Sequence, residues 1–168
     1  MVFLMNQKLC DMISECTSEL SDIEQIIQSL PTLAKQKSYL TKYALIKASG
    51  TLEMVYRSII ADYFTGFHSP QLENFLDAKV RHGSSSAKYE MMSKLLKMFD
   101  ESWSDCFKKN VSMRSDSDKI IVSSNSLVRN RHDFAHGQEP TATFNEIKQY
   151  YLDTLELIKE LDLVVNGD

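Results

Sequence analysis

The chain has 168 residues, 43% of them hydrophobic and 25% charged, a balance that excludes a disordered or fibrous polymer and leaves little room for a second independent domain. Its formal charge of −4 excludes a broad, sequence-independent grip on nucleic acid, which works by neutralising many phosphates with Lys and Arg, and leaves a local basic site open. Five Gly and three Pro supply too few turn signals for an all-β fold, so one all-α domain covering residues 1–168 is expected.

From about Leu4 to Leu30 apolar residues recur at helical spacing (Leu9, Ile13, Cys16, Leu20, Ile23, Ile27), and Pro31 ends the run. A second helix is expected from near Thr32 to about Phe64, with Leu45, Ala48, Leu52, Val55 and Ile59 on one stripe, Gly50 softening its middle and Gly66 stopping it. Ser69-Pro70 offers an N-cap and a first-turn proline for a short helix to about Val80, ending at His82-Gly83. After Ser84–Ser86 another helix, about Ala87 to Asn110, carries a wide stripe through Leu95, Leu96, Phe99, Trp103 and Phe107. Polar residues from Ser112 to Asp118 read as a loop, and the apolar period resumes at Ile120 in a helix that ends near Gly137. Thr143 and Glu146 form a capping-box pattern that opens a last helix, buried along Ile147, Tyr151, Leu155, Ile158 and Leu161.

Cys10, Cys16 and Cys106 are an odd set without a CxxC pair, which gives no disulfide framework or structural zinc and fits a reducing cytoplasm. The N-terminal Met-Val-Phe-Leu-Met-Asn-Gln has no basic leader, and no stretch approaches the roughly 18 apolar residues of a membrane span, so neither secretion nor a membrane partner is expected.

The helix from Ile120 to Gly137 holds the chemistry. At about 100° per residue, Ile120, Ile121, Leu127, Val128, Phe134 and Ala135 share one face, while Arg129, His132, Asp133 and His136 gather on the other. Arg131 falls on the apolar stripe, where an unpaired guanidinium is costly, so it should meet a carboxylate or a partner subunit. Arg131-His132-Asp133-Phe134-Ala135-His136-Gly137 resembles the mark of the HEPN domains, an Arg with a polar residue after it and a His further along the helix. Arg131 and His136 are separated by four residues; Arg129-Asn130, with six between Arg129 and His136, also satisfies the looser pattern. Arg131 is preferred. The ending Phe-Ala-His-Gly is similar to prokaryotic HEPN groups of toxin and phage-defence loci, and His132 stands where Asn is commonest.

The resemblance implies an all-α HEPN-like bundle of about five to six helices, in which a long earlier helix packs beside the motif helix. Leu52-Glu53-Met54-Val55-Tyr56-Arg57 looks like that helix, which makes Glu53 the candidate partner of Arg131. It also implies a homodimeric endoribonuclease acting on an RNA substrate through a composite site, without metal or cofactor, set in a toxin or anti-phage locus with a cognate antitoxin or immunity partner. The alternative is a non-catalytic HEPN module for dimerisation or for RNA or nucleotide binding.

RNA carries its own nucleophile, the 2′-hydroxyl, so cleavage needs a base, an acid and positive charge on the phosphate. Histidine titrates near working pH and the Arg fork donates two hydrogen bonds to a phosphate, so His136 and Arg131 are the candidate catalytic pair, with Arg129, Asn130, His132 and Glu53 in support. An unbroken helix separates Arg131 and His136 by about 140°, so either the helix ends before His136 or two copies share the site.

Plainer roles exist. Arg131 can be a structural arginine paired to Glu53, and His136 beside Gly137 a helix cap. His132-Asp133-x-x-His136 is similar to the HExxH zinc helix, but Asp is a methylene shorter than Glu and no third ligand is evident. His68 and His82 sit at helix ends and are assigned nothing, and the lysines at 35, 37, 42 and 47 read as a solvated face. Lys108, Lys109 and Arg114, flanking the loop before the motif helix, are candidate RNA contacts.

Overall fold

The computed structural model describes Leu4, residues 6–67 and residues 69–167; His68 and most of the N-terminal heptapeptide lie outside them. The helix α1 (Gln7–Ser29) starts where the Asn6 side chain accepts from the Lys8 amide at 3.0 Å and ends just before Pro31. Leu9, Ile13, Cys16, Leu20 and Ile23 of the periodic stripe are buried, Ile27 is partly buried, and Cys10 is buried beside them.

α2 (Lys35–Tyr63) runs unbroken through Gly50, whose exposed position faces open space. Leu45, Ala48, Leu52 and Val55 along it are fully buried, each large aliphatic side chain contributing about 1.5–3 kcal/mol by leaving water. This helix is the spine, packing against α1, α6 and α7. It passes into a 3-10 turn (Phe64–Phe67), and Ser69 then caps α3 (Pro70–Leu76) by accepting from the Leu72 amide at 3.3 Å, as Ser-Pro predicts. A π-helical turn (Asp77–Arg81) completes this piece before His82.

The single helix expected over Ala87 to Asn110 is two, α4 (Tyr89–Phe99) and α5 (Glu101–Met113). The chain is extended at Asp100 (φ −152°, ψ 124°), whose carboxylate accepts from the Ser102 amide at 2.7 Å. An aspartate that caps a new helix competes with continuing the old one, and no Gly or Pro announces it. The break lets α5 fold back on α4, where Ser93 and Ser104 share a buried hydroxyl hydrogen bond of 2.9 Å and Trp103 meets Tyr63 edge to face. The loop expected over Ser112 to Asp118 shrinks to residues 114–116, since α5 continues to Met113 and α6 (Ser117–Ala135) follows at once.

α7 (Phe144–Asn166) opens on the complete capping box, Thr143 Oγ1 accepting from the Glu146 amide and Glu146 accepting from the Thr143 amide. Its Tyr151 is fully buried and donates to the Ile13 carbonyl at 3.1 Å, so the phenol is satisfied inside the core. The fold is all-α, with seven α-helices among the described residues, the break at Asp100 adding one to the expected count. No helix among them is long and apolar enough to cross a membrane.

Candidate functional site

α6 ends in a Schellman arrangement. Gly137, at φ +81°, reverses the chain, its amide donates to Phe134 O at 3.0 Å, and the Gln138 amide reaches Asp133 O at 2.9 Å. His136 is therefore the C-cap residue, exposed at the helix end, with its ring centroid 4.3 Å from that of His132 one turn back. Ile120, Leu127 and Val128 are buried and Ile121 and Phe134 pack partly on the core, as the wheel predicts. Ala135 is the exception: it is exposed, because the last turn of α6 runs past the core.

Arg131 is half-buried, and its Nη2 lies 3.2 Å from Glu53 Oε2 on α2. The same oxygen accepts from Nη2 of Arg57, one turn along α2, also at 3.2 Å. Burial pushes the Glu53 carboxyl above the usual glutamate range, while Arg131 and Arg57 pull against it. Arg57 is itself buried and holds the segment before α4: Nε donates to Ser85 O at 2.8 Å, Nη2 donates to the same oxygen, and Tyr56 Oη donates to Ser86 O at 3.2 Å. One buried carboxylate and one buried guanidinium thus fix the Ser84–Ser86 segment and the motif arginine to the same helix.

Between those two walls lies a groove of about 330 Å³, with Ser84, Ser86 and Lys88 on one side and Arg129, Arg131 and His132 on the other. Arg129 is exposed and, like Lys88, forms no ion pair among the described residues. Lys88 also sits at the N-terminus of α4, whose dipole adds to the positive field. His136 does not line the groove; it touches it only through the ring of His132.

Asn130 is buried and faces away from the groove. Its Nδ2 donates to Ser126 O at 2.9 Å, and its Oδ1 accepts from the amides of Thr141 (2.9 Å) and Ala142 (3.0 Å). Its support is mechanical: it anchors the connection that follows the motif. Lys42 approaches Glu139 at 2.8 Å and lies over the Phe134 ring, and Lys47 pairs with Glu19, so both are engaged within the fold.

Among the expected RNA contacts, Arg114 is committed elsewhere, to Asp116 at 2.8 Å, Glu160 at 2.9 Å and Glu156 at 3.1 Å. Those carboxylates hold its guanidinium protonated still more firmly than usual. Lys108 and Lys109 are exposed on α5. Sequence reasoning missed Ser84, Ser86, Lys88 and Arg57. Arg57 had a signal, its place one turn after Glu53; the other three are far from the motif in the chain and meet it only through the tertiary fold.

A helical bundle that ends a helix on this Arg-x-x-x-x-His segment, backs the arginine with a buried glutamate and opens a basic groove beside it defines a protein of the HEPN class. The RiboL-PSP-HEPN family model matches residues 11–167, and the chain belongs to that family. Among curated proteins and among solved structures nothing matches it significantly.

Proposed function

We propose that the protein is a metal-independent endoribonuclease that works as a homodimer in the cytoplasm. The observation that carries this reading is the groove, in which Arg129, Arg131 and Lys88 converge beside an imidazole pair, with Glu53 as the only carboxylate paired to any of them among the described residues. Such a field suits a phosphodiester, whose charge grows at the non-bridging oxygens as the 2′-oxygen attacks. HEPN domains generally bind RNA and act as dimers.

In the proposed reaction a base removes the 2′-hydroxyl proton, the 2′-oxygen bonds to phosphorus, and the bond to the 5′-oxygen breaks as an acid protonates it. The products are a 2′,3′-cyclic phosphate and a free 5′-hydroxyl. His136 serves as acid or base and Arg131 holds the phosphate, with Glu53 positioning it; Arg129 and His132 assist. No step requires a metal or cofactor. His136 lies outside its own groove, and the exposed face through Val122, Arg129, His132 and His136 is open along α6, so a second copy facing this helix can supply the missing histidine across a two-fold axis. A growth-arresting ribonuclease of this kind fits a toxin or anti-phage effector and requires an antitoxin or immunity partner to protect the host.

Purified protein should cut bulk tRNA and mRNA in EDTA, and cutting should fall by about 10²-fold or more in His136→Ala and in Arg131→Ala. Unchanged cutting by His136→Ala overturns the mechanism. Binding without cutting by the wild type assigns the groove to a non-catalytic RNA- or nucleotide-binding module, the reading that the capping position of His136 favours.

A further inference from the structure

His132 and His136 can do a second kind of chemistry that RNA cleavage does not use. They stand four residues apart across the last turn and cap of α6, their ring centroids 4.3 Å apart and their planes tilted by 58°. Two imidazoles that share one tetrahedral ion, each nitrogen about 2.0–2.1 Å from it, hold their centroids about 5 Å apart. The present spacing falls short of that by less than about 1 Å, which small side-chain rotations of exposed rings can cover. Neither ring forms a hydrogen bond or an ion pair among the described residues. The ring of His82, by contrast, is committed to Asp77, with Nδ1 3.0 Å from the carbonyl oxygen and 3.5 Å from the carboxylate.

The backbone under the pair is fixed before any ion arrives. The Schellman hydrogen bonds hold His136 at φ −97° and ψ 17°, near the helical region, so closing a chelate costs little further ordering. A helix C-terminus also favours a cation, because the last carbonyls point outward there. Fixed charges around the pair nearly balance. Arg129 precedes His132 by three residues and Asp133 precedes His136 by three, each about one turn away along α6. Arg131 turns its guanidinium to Glu53, and Glu139 beyond the cap is held by Lys42. Asp133 adds charge without adding a ligand, since no third His, Cys, Asp or Glu joins the pair among the described residues.

We propose that His132 and His136 chelate a divalent transition-metal ion of the zinc type, with water completing its shell, and that the ion switches the site off. Imidazole nitrogen suits such borderline ions, whereas magnesium and calcium take oxygen ligands. With two protein ligands in place of four, the site is reversible and regulatory, unlike a structural zinc. The ion takes the lone pair of the His136 ring, which can then neither accept a proton nor carry the extra one that an acid needs. Zinc therefore inhibits cleavage instead of assisting it. That consequence rests on the ribonuclease reading of the groove; the binding itself does not.

The test is a calorimetric titration with zinc sulfate of the untagged full chain, carrying Cys106→Ser to remove its exposed thiol. His132→Asn and His136→Asn should each weaken binding by at least about tenfold, since even second-shell partners of a metal ligand are worth that much. His82→Asn should leave binding unchanged, and magnesium should not bind. Zinc should raise the urea midpoint of the Cys106→Ser chain and not that of either His132→Asn or His136→Asn, because the chelate exists only on the folded helix. Zinc should also stop RNA cleavage and EDTA restore it, and His132→Asn, whatever its own rate, should need at least about tenfold more zinc. Zinc affinity that survives either substitution overturns the chelate, as does equal binding of magnesium. Cleavage undiminished at saturating zinc overturns the inhibition. A chain that binds zinc through both rings but cuts no RNA in EDTA supports the chelate and overturns instead the ribonuclease reading, and the inhibition with it.

Discussion

Beside the N-terminal end of α6, Arg114 meets three carboxylates, Asp116, Glu156 and Glu160, and Lys119 and Ser123 both reach the buried Asp153. At the C-terminal end Arg131 shares a single buried carboxylate with Arg57, while Arg129, His132 and His136 have no ion pair among the described residues. An arginine with four of its five donors already taken by carboxylates stabilises the fold and has little left to give a phosphate. Arg131 gives one hydrogen bond to Glu53 and keeps the rest of its fork. Residue type is therefore a poor guide to RNA contact here, and the balance of countercharge is a better one.

The comparison is broken most severely at Glu53. Glu53→Ala removes the only carboxylate that pairs with Arg57 and Arg131 among the described residues and leaves the buried Arg57 without that counterion, which costs about 3 kcal/mol of unfolding free energy in urea titrations. RNA cleavage should fall as well, because Arg131 loses its anchor. A loss within about 0.5 kcal/mol, the range of ordinary surface changes, would show that the buried carboxylate is not what ties the two walls together.

A smaller effect at the same end sharpens the picture. Gly137 holds φ +81°, and a Cβ there would meet nothing within 4 Å, so Gly137→Ala costs only the strain of the left-handed backbone, about 1–2 kcal/mol. The lower denaturation midpoint should come with weaker cleavage, since the Schellman hydrogen bonds that fix His136 loosen together. Stability lost with full cleavage retained would separate the cap from the chemistry.

Much of this was legible in the chain. The capping box at Thr143, the stop at Gly137, the stripe of α2 and the pairing of Arg131 with Glu53 all follow from local pattern or from the family resemblance, because each is carried by residues a turn or two apart or by a motif. The break at Asp100 was hidden because Phe99 and Trp103 keep the helical period across it, and only the side chain accepting from Ser102 reveals a cap. Asn130 looked like a motif residue and proves to be a clamp on Thr141 and Ala142, a role set by the return of the chain after Gly137. Half of the groove was invisible for a similar reason: Ser84, Ser86 and Lys88 reach the motif only because Arg57 and Tyr56 hold their segment in place.

The mildest test lies at the saturated end. Arg114 is partly exposed and so are its partners, so Arg114→Gln should lower stability at neutral pH by no more than about 1 kcal/mol, as for ion pairs screened by solvent. Its pH dependence carries the sharper signature. The Arg114 guanidinium holds the Asp116 carboxyl below its ordinary value of 3.8, so the unfolded chain takes up that proton first as pH falls. The stability the pair contributes is thus complete above the ordinary aspartate range and is lost as pH drops through the depressed folded value. The wild type should lose stability in acid more steeply than Arg114→Gln, and the two urea midpoints should converge at low pH. RNA affinity should be the same in both proteins across a salt titration, because a guanidinium already held by three carboxylates has no phosphate to release. A shallower salt slope in Arg114→Gln would place a phosphate at this end of α6 after all and erase the distinction between its two ends.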